Sequence, residues 1–139
     1  MTDVKWETDV KWVFDRAIHL MDEQDENDGK TLTADTEEYK LRTLSILNVL
    51  RNELYPLSDN YPVSENGTRP ILPMLTAFED NVGLDDAVSQ GILPYGLAAY
   101  LLLGEDNSKA NFFNQKYEEM KANFRQRSFA VWEDIPFQF

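Results

Sequence analysis

The clearest pattern of apolar and polar positions lies between residues 83 and 125, where two predicted helices follow each other directly. Nearly every residue of the stretch Ile92–Leu103 is apolar. A helix that is apolar on all sides is expected to be buried on all sides. Because the run covers about 12 residues, well short of the ~20 that cross a bilayer, it indicates a core helix and not a membrane anchor.

The sequence also predicts where this first helix begins and ends. Asp85 and Asp86 suit its opening turn, because carboxylates favour the exposed N–H groups and positive dipole there. Pro94 lacks a backbone donor, which predicts a kink or a start nearer Leu93. Gly104 is typical of the residue that follows a helix end.

The second helix begins immediately afterwards, and its possible capping residues are Asp106, Asn107 and Ser108. Apolar side chains recur on one face, at Phe113, Tyr117, Met120 and Phe124. Lys, Glu, Gln and Asn occupy the other face, which we expect to be in solvent. The short link predicts that the two helices are antiparallel neighbours, with the rest of the chain wrapped around them.

Two earlier stretches have helical periodicity. The first, near residues 9–22, has an inner stripe of Val10, Phe14, Ala17 and Met21, flanked by Val13 and Leu20. The second, near 35–55, opens with Asp35 and Glu38 at the spacing of a capping box and ends at Pro56. Its expected apolar face consists of Tyr39, Leu44, Ile46, Leu47, Leu50 and Leu54. Its expected solvent side consists of Lys40, Arg42, Arg51 and Glu53.

The predicted fold class is therefore all-α, a small bundle of four main helices near residues 9–22, 35–55, 85–103 and 107–125. A single domain spans 1–139, with an N-terminal arm at 1–8, a helical core at 9–125 and an aromatic tail at 126–139. Four prolines interrupt the long loop at 56–82. We expect the part with Ile71, Leu72, Leu75 and Phe78 to be tied to the core as a short strand, and Asn60–Thr68 to be a mobile tip.

The two ends of the chain carry aromatic residues that the four helices do not need. The sequence of Thr2–Trp6, TDVKW, recurs without change at Thr8–Trp12, which we interpret as a local duplication. Aromatic side chains are enriched in protein interfaces, so the predicted interface residues are Trp6, Phe129, Trp132, Phe137 and Phe139. The tail could equally fold back on its own helices.

Composition narrows the possible functions. The net charge of −12 disfavours direct nucleic-acid binding, which needs clustered Lys and Arg, and suits a protein kept soluble by self-repulsion. No cysteine is present, which excludes disulfides, thiol catalysis and zinc–thiolate sites. No secretory, spanning or lipidation pattern is recognisable, so we expect synthesis in the cytoplasm and no membrane partner.

The acidic segment 22–35 is similar in form to a calcium-binding loop but fails in detail. With Gly29 at the invariant glycine, the first ligand is the uncharged Gln24, the third is Glu26 and the twelfth is Asp35 in place of a bidentate Glu. Thr31 occupies the position of the core-facing aliphatic residue. We therefore predict a solvated acidic turn without calcium.

Catalytic chemistry has little support. His19, the only histidine, is expected to be a partly buried structural residue on the first helix, and no sequence feature pairs it with a nucleophile. The acidic residues lie in solvated turns, and no glycine-rich phosphate loop occurs. We predict no catalytic, metal or cofactor site.

Three segments carry a resemblance to a known family: LMDE at 20–23, DTEEYKLRTLSILNVLRNELYP at 35–56 and LDDAVSQGILPYGLAAYLLLGEDNSKANFFNQKYEEMKANF at 84–124. In pattern and helix order they resemble the head–tail connector, or adaptor, proteins of tailed bacteriophages and prophages. The resemblance covers Phe14–Phe124. It implies a mainly helical, non-enzymatic virion protein at the head–tail junction, assembled as a ring below the portal, with portal and neck or tail proteins as partners.

Two other readings remain open. An acidic protein could mimic nucleic acid and block a host DNA-binding protein, which −12 permits if the charge lies in stripes. A carboxylate-based metalloenzyme is the weaker reading, given one histidine and the failed calcium loop.

Overall fold

The computed structural model describes residues 8–58 and 72–133, with side chains described as far as residue 124. It contains five α-helices: α1 (Val10–Met21), α2 (Glu37–Leu54), α3 (Asp86–Gly91), α4 (Leu93–Leu102) and α5 (Asn107–Glu133). A 3-10 turn, Tyr55–Leu57, follows α2. In these residues there is no strand, only a single antiparallel bridge between Asp9 and Asn81. The predicted all-α class is confirmed.

α1 forms where its caps and apolar stripe predict it. The Asp9 side chain accepts a hydrogen bond from the Trp12 N–H, and Asp22 ends the helix with a φ of 60°. The predicted stripe is confirmed, and Val13 and Ile18 are also fully buried. This face packs on α4 and α2.

The predicted capping box of α2 is wrong. Thr36, not Asp35, precedes the helix, and its side chain makes no capping hydrogen bond. The Thr36 hydroxyl instead donates to the carbonyl of Thr31 at 2.5 Å, within a turn that also contains Thr33. The hydroxyl therefore bonds to the preceding loop and does not cap the helix. The conformation of that loop cannot be predicted from the local sequence.

Arg51 does not face solvent as predicted; it is only 4% exposed. Its guanidinium donates to the carbonyls of Val82 and Pro73, both at 2.8 Å, and to Asn48 at 3.2 Å. Burial lowers the pKa of Arg51, and the Asp80 carboxylate opposes this shift. The side chain is buried because it supplies donors to backbone carbonyls of the segment that leads to α3.

That segment, residues 72–85, is tied to the core as predicted. Leu75 is buried, and Phe78 packs edge-on against Phe14 with ring centroids 5.4 Å apart. Backbone hydrogen bonds join Val10 to Asp80 and Val82 to Thr8. The expected short strand is reduced to the single bridge. The predicted mobile tip, 60–68, and Ile71 lie outside the described residues.

The third predicted helix is divided into α3 and α4. Asp85 caps α3 through its side chain, which accepts from the Val88 N–H. α4 starts at Leu93 with Pro94 in its first turn, as predicted. Because proline lacks an N–H, it fits the first turn of a new helix better than the interior of an old one.

α4 and α5 form the predicted antiparallel hairpin, and α4 also packs on α1, α2 and α3. Gly104 has the left-handed φ of 88° that favours glycine after a helix. Asp106 caps α5, accepting from the Lys109 N–H at 3.1 Å. Phe113 and Tyr117 are buried, and Met120 and Phe124 pack partly against the core.

α5 is longer than predicted. Its helical backbone continues to Glu133, whereas the sequence pattern suggested an end at 125 and a tail from 126. Residues 126–133 extend α5 and are not an extended arm. Only 134–139 of the predicted tail remain beyond the helix, outside the described residues.

Candidate functional site

The aromatic residues assigned to an interface lie at the two ends of the chain. Trp6, Phe137 and Phe139 lie outside the described residues. Phe129 and Trp132 lie in α5, where the backbone is described and the side chains are not. Their interface role therefore stays a prediction.

α5 extends past the helix on which it packs. At 1.5 Å per residue its 27 residues span about 40 Å, whereas the 10 residues of α4 span about 15 Å. Among the described side chains, the α5 residues nearest Glu133 that pack on the core are Met120, Lys121 and Phe124. The final part of α5 is thus placed beyond α4.

A shallow groove lies on the outer side of the hairpin, near the turn between α4 and α5. Its volume is about 240 Å3, and its lining consists of Ala99, Tyr100, Leu103, Ala110, Asn111 and Asn114. Tyr100 is 46% exposed and Leu103 61% exposed. None of the six lining side chains carries a formal charge. We call this feature the hairpin groove.

The sequence did not predict the hairpin groove, because the apolar run Ile92–Leu103 predicts a helix that is buried on every side. Most of α4 is buried, as expected, but Tyr100 and the residue that follows the helix, Leu103, are not. The Tyr117 ring of α5 packs directly against Gly96, whereas the end of α4 is left partly open at Tyr100 and Leu103. The available signal was the polar pair Asn111 and Asn114, which flanks the inner stripe of α5.

A polar cluster joins α2 to α5 through Glu53. The Tyr117 hydroxyl donates to one Glu53 oxygen at 2.6 Å, and the Lys121 ammonium donates to the other at 2.9 Å. Lys121 is 8% exposed and also pairs with Glu118 at 3.2 Å. Burial, followed by the hydrogen bond to Glu53, raises the pKa of Tyr117. Lys121 was expected in solvent; it is buried because α2 brings a carboxylate to it.

A second connection joins the start of α2 to the hairpin turn. The Tyr39 hydroxyl donates to the Glu105 carboxylate, and Arg42 donates to the Leu101 carbonyl at 2.7 Å. Burial, then the hydrogen bond to Glu105, raises the pKa of Tyr39. These contacts fix the hairpin turn against α2.

The acidic loop forms a cleft of about 400 Å3, lined by Asp22, Glu23, Gln24, Asp25, Glu26, Asn27, Thr33 and Asp35. The Asp25 carboxylate accepts from the backbone N–H groups of Asn27 and Asp28, so it stabilises the turn. Within residues 8–58 and 72–133, no group of three acidic or histidine side chains converges as metal ligands would. The absence of calcium stays a prediction.

His19 is exposed, so its expected partial burial is wrong. It faces away from the apolar stripe of α1, along an open cleft shared with Lys11, Asp15 and Thr31. Asp15 accepts hydrogen bonds from Lys11 at 2.8 Å and Thr31 at 2.6 Å. The stripe faces the other helices, which leaves position 19 on the outer side.

No protein-family model, curated protein or solved structure matches this chain. In the part of the chain that the structure describes, no helix combines the length and hydropathy needed to cross a bilayer.

Proposed function

We propose that this chain is a non-enzymatic structural protein of a tailed bacteriophage, a head–tail connector that assembles as a ring below the portal. The observation that carries the proposal is the hairpin formed by residues 94–119. This stretch, PYGLAAYLLLGEDNSKANFFNQKYEE, holds most of the resemblance to connector proteins and forms the centre of the fold. The family-like segment is thus the one on which the other helices pack.

The distribution of surfaces supports assembly into a ring. A closed ring needs two different patches on each copy, because each copy contacts its neighbours through unlike surfaces. The hairpin groove provides one apolar patch. Phe112, on another face of α5, is 53% exposed, and the end of α5 projects past α4. The chain therefore offers separate surfaces for separate neighbours.

Charge supports a protein partner over a direct nucleic-acid partner. A net charge of −12 repels phosphate, and it also keeps isolated copies apart in solution. Assembly is then expected to depend on a complementary surface, such as a portal ring, or on raised ionic strength that screens the repulsion.

The proposal is tested by co-expressing this chain with the portal protein encoded in the same genome. We expect a complex with rotational symmetry in electron micrographs, with the chain at one end of the portal ring. A portal from an unrelated phage is the matched control and should not bind. Failure to bind the cognate portal at both low and high ionic strength would refute the connector role.

The acidic cleft favours one alternative, a protein that mimics nucleic acid and occupies a host DNA-binding protein. Five carboxylates line this cleft, those of Asp22, Glu23, Asp25, Glu26 and Asp35. Titration against a basic DNA-binding protein separates the two functions. A mimic displaces DNA at near-stoichiometric ratios, whereas a connector leaves the DNA bound.

A further inference from the structure

The hairpin groove is an uncharged apolar surface on a strongly acidic protein. Tyr100 and Leu103 supply apolar area, Ala99 and Ala110 keep the floor low, and the side chains of Asn111 and Asn114 can donate and accept hydrogen bonds. A segment that binds here should be apolar and free of charge, and its backbone should be extended enough to pair with the two amides.

One segment of this chain has that character. Ile135–Phe139 reads IPFQF and carries three large apolar side chains and no charged one. Pro136 disfavours helical geometry at the residue before it and fixes its own φ. Less conformational freedom is therefore lost when this segment binds.

The segment cannot reach the hairpin groove of its own chain. Glu133 lies about 28 Å along α5 from Asn114, at 1.5 Å for each of the intervening residues. From Glu133, the six residues to Phe139 extend at most about 21 Å. The maximum reach is shorter than this distance, so another molecule has to present the segment to the groove.

We propose that the hairpin groove of one copy binds Ile135–Phe139 of a second copy. This inference rests on the proposed function, because it names the copy-to-copy contact of the ring. Neither the groove nor the segment contributes a charged side chain, so the acidic side chains of the two copies stay out of the interface. The unlike surfaces, groove and tail, also meet the requirement of a closed ring.

The absence of cysteine allows a direct cross-linking test on the full chain. One batch carries Asn111→Cys in the groove and the other, with a distinguishable tag, carries Gln138→Cys between the two tail phenylalanines. A disulfide forms only when the two Cα atoms come within about 7 Å. We expect oxidation of the mixture at raised ionic strength, which screens the repulsion between the acidic copies, to yield the cross-linked heterodimer.

The matched control replaces Asn111→Cys by Lys116→Cys. Lys116 is also exposed on α5, but it lies over the Phe112 ring and not in the groove. We expect several-fold less heterodimer from this pair. Equal yields from the two pairs, or no cross-link with either, would overturn the inference.

A second measurement uses Leu103→Asp, which puts a charge into the groove at an exposed position. We expect self-association, measured by sedimentation velocity at the same raised ionic strength, to weaken by about tenfold or more. Unchanged association would overturn the inference. Portal binding is scored separately: a chain that binds its portal without the groove–tail cross-link keeps the connector role and loses only this contact. A chain that forms the groove–tail cross-link but does not bind its portal keeps this contact and loses the connector role.

Discussion

Gly96 sets how closely α4 and α5 approach each other. A Cβ atom built at this position would lie 2.7 Å from Cε1 of Tyr117 and 3.0 Å from Cδ1 of Leu50. The Tyr117 ring cannot move aside freely, because it is 2% exposed and its hydroxyl is held by Glu53. The glycine is therefore required by packing, not by backbone conformation.

Gly96→Ala is expected to destabilise the protein by about 1–3 kcal/mol, the usual cost of adding a methyl group to a filled core. Urea denaturation measures this difference. Gly91→Ala is the matched control, since a Cβ there meets no atom within 4 Å and alanine favours a helix. If both variants unfold at the same urea concentration, the close packing of Tyr117 and Leu50 against Gly96 is wrong.

Tyr117 also makes stability depend on alkaline pH. Its pKa is raised in the folded protein from the ordinary value of 10.0, so the unfolded chain releases the phenol proton at lower pH than the folded one does. The stabilising contribution is complete below about pH 10 and declines above it, at a limiting slope of about 1.4 kcal/mol per pH unit for one proton.

Thermal melts between pH 8 and 11 should therefore show a falling melting temperature, with a shallower fall in Tyr117→Phe. Tyr95→Phe, at a partly exposed tyrosine that does not contact Glu53, controls for the loss of a phenol. An alkaline decline that is equally steep in the wild type and in Tyr117→Phe would contradict this role of Tyr117.

Among the elements, α4 determines whether the bundle exists. Eight of its ten residues are buried, and it packs on every other helix. Leu97 has no exposed surface, whereas Leu103, directly after the end of the same helix, is 61% exposed. The two leucines differ in environment although the sequence around both is apolar.

Leu97→Asp is expected to unfold the protein. An unpaired buried charge costs about 3–5 kcal/mol or more, a large part of a typical domain stability of about 5–15 kcal/mol. Circular dichroism and thermal melting check the outcome. Leu103→Asp should remain folded with a near-wild-type melting temperature, and a folded Leu97→Asp variant would contradict the central position of α4.

At the scale of the whole molecule, the last part of α5 extends past α4, the helix on which α5 packs. Among the described side chains, Phe124 is the last along α5 that packs on the core. The helix nevertheless continues to Glu133. Because α5 has 27 residues and α4 only 10, the final turns of α5 extend past α4 to a position where they can contact another molecule.

Deletion of Phe129–Phe139 is expected to leave the melting temperature nearly unchanged and to abolish self-association or portal binding. Calorimetry and sedimentation velocity measure the two properties on the same sample. If the deletion instead lowers stability by several kcal/mol and leaves association intact, the segment belongs to the core of its own chain.

Local features of the sequence were sufficient for most of the fold. The periodicity of apolar residues located the helices, Pro94 marked the start of α4, and Gly104 and Asp106 marked the hairpin turn. Each of these signals involves residues within one or two helical turns of each other, so it does not depend on contacts between helices. The all-α class and the central hairpin follow from them directly.

Tertiary structure alone decided which polar groups are buried and which apolar groups are not. Arg51 is buried because the segment before α3 presents carbonyls to it, and Lys121 because α2 presents Glu53. Tyr100 and Leu103 are exposed because, among the described residues, no element fully covers the last turn of α4. Each outcome depends on a neighbour distant in sequence, and periodicity along one helix carries no information about that neighbour.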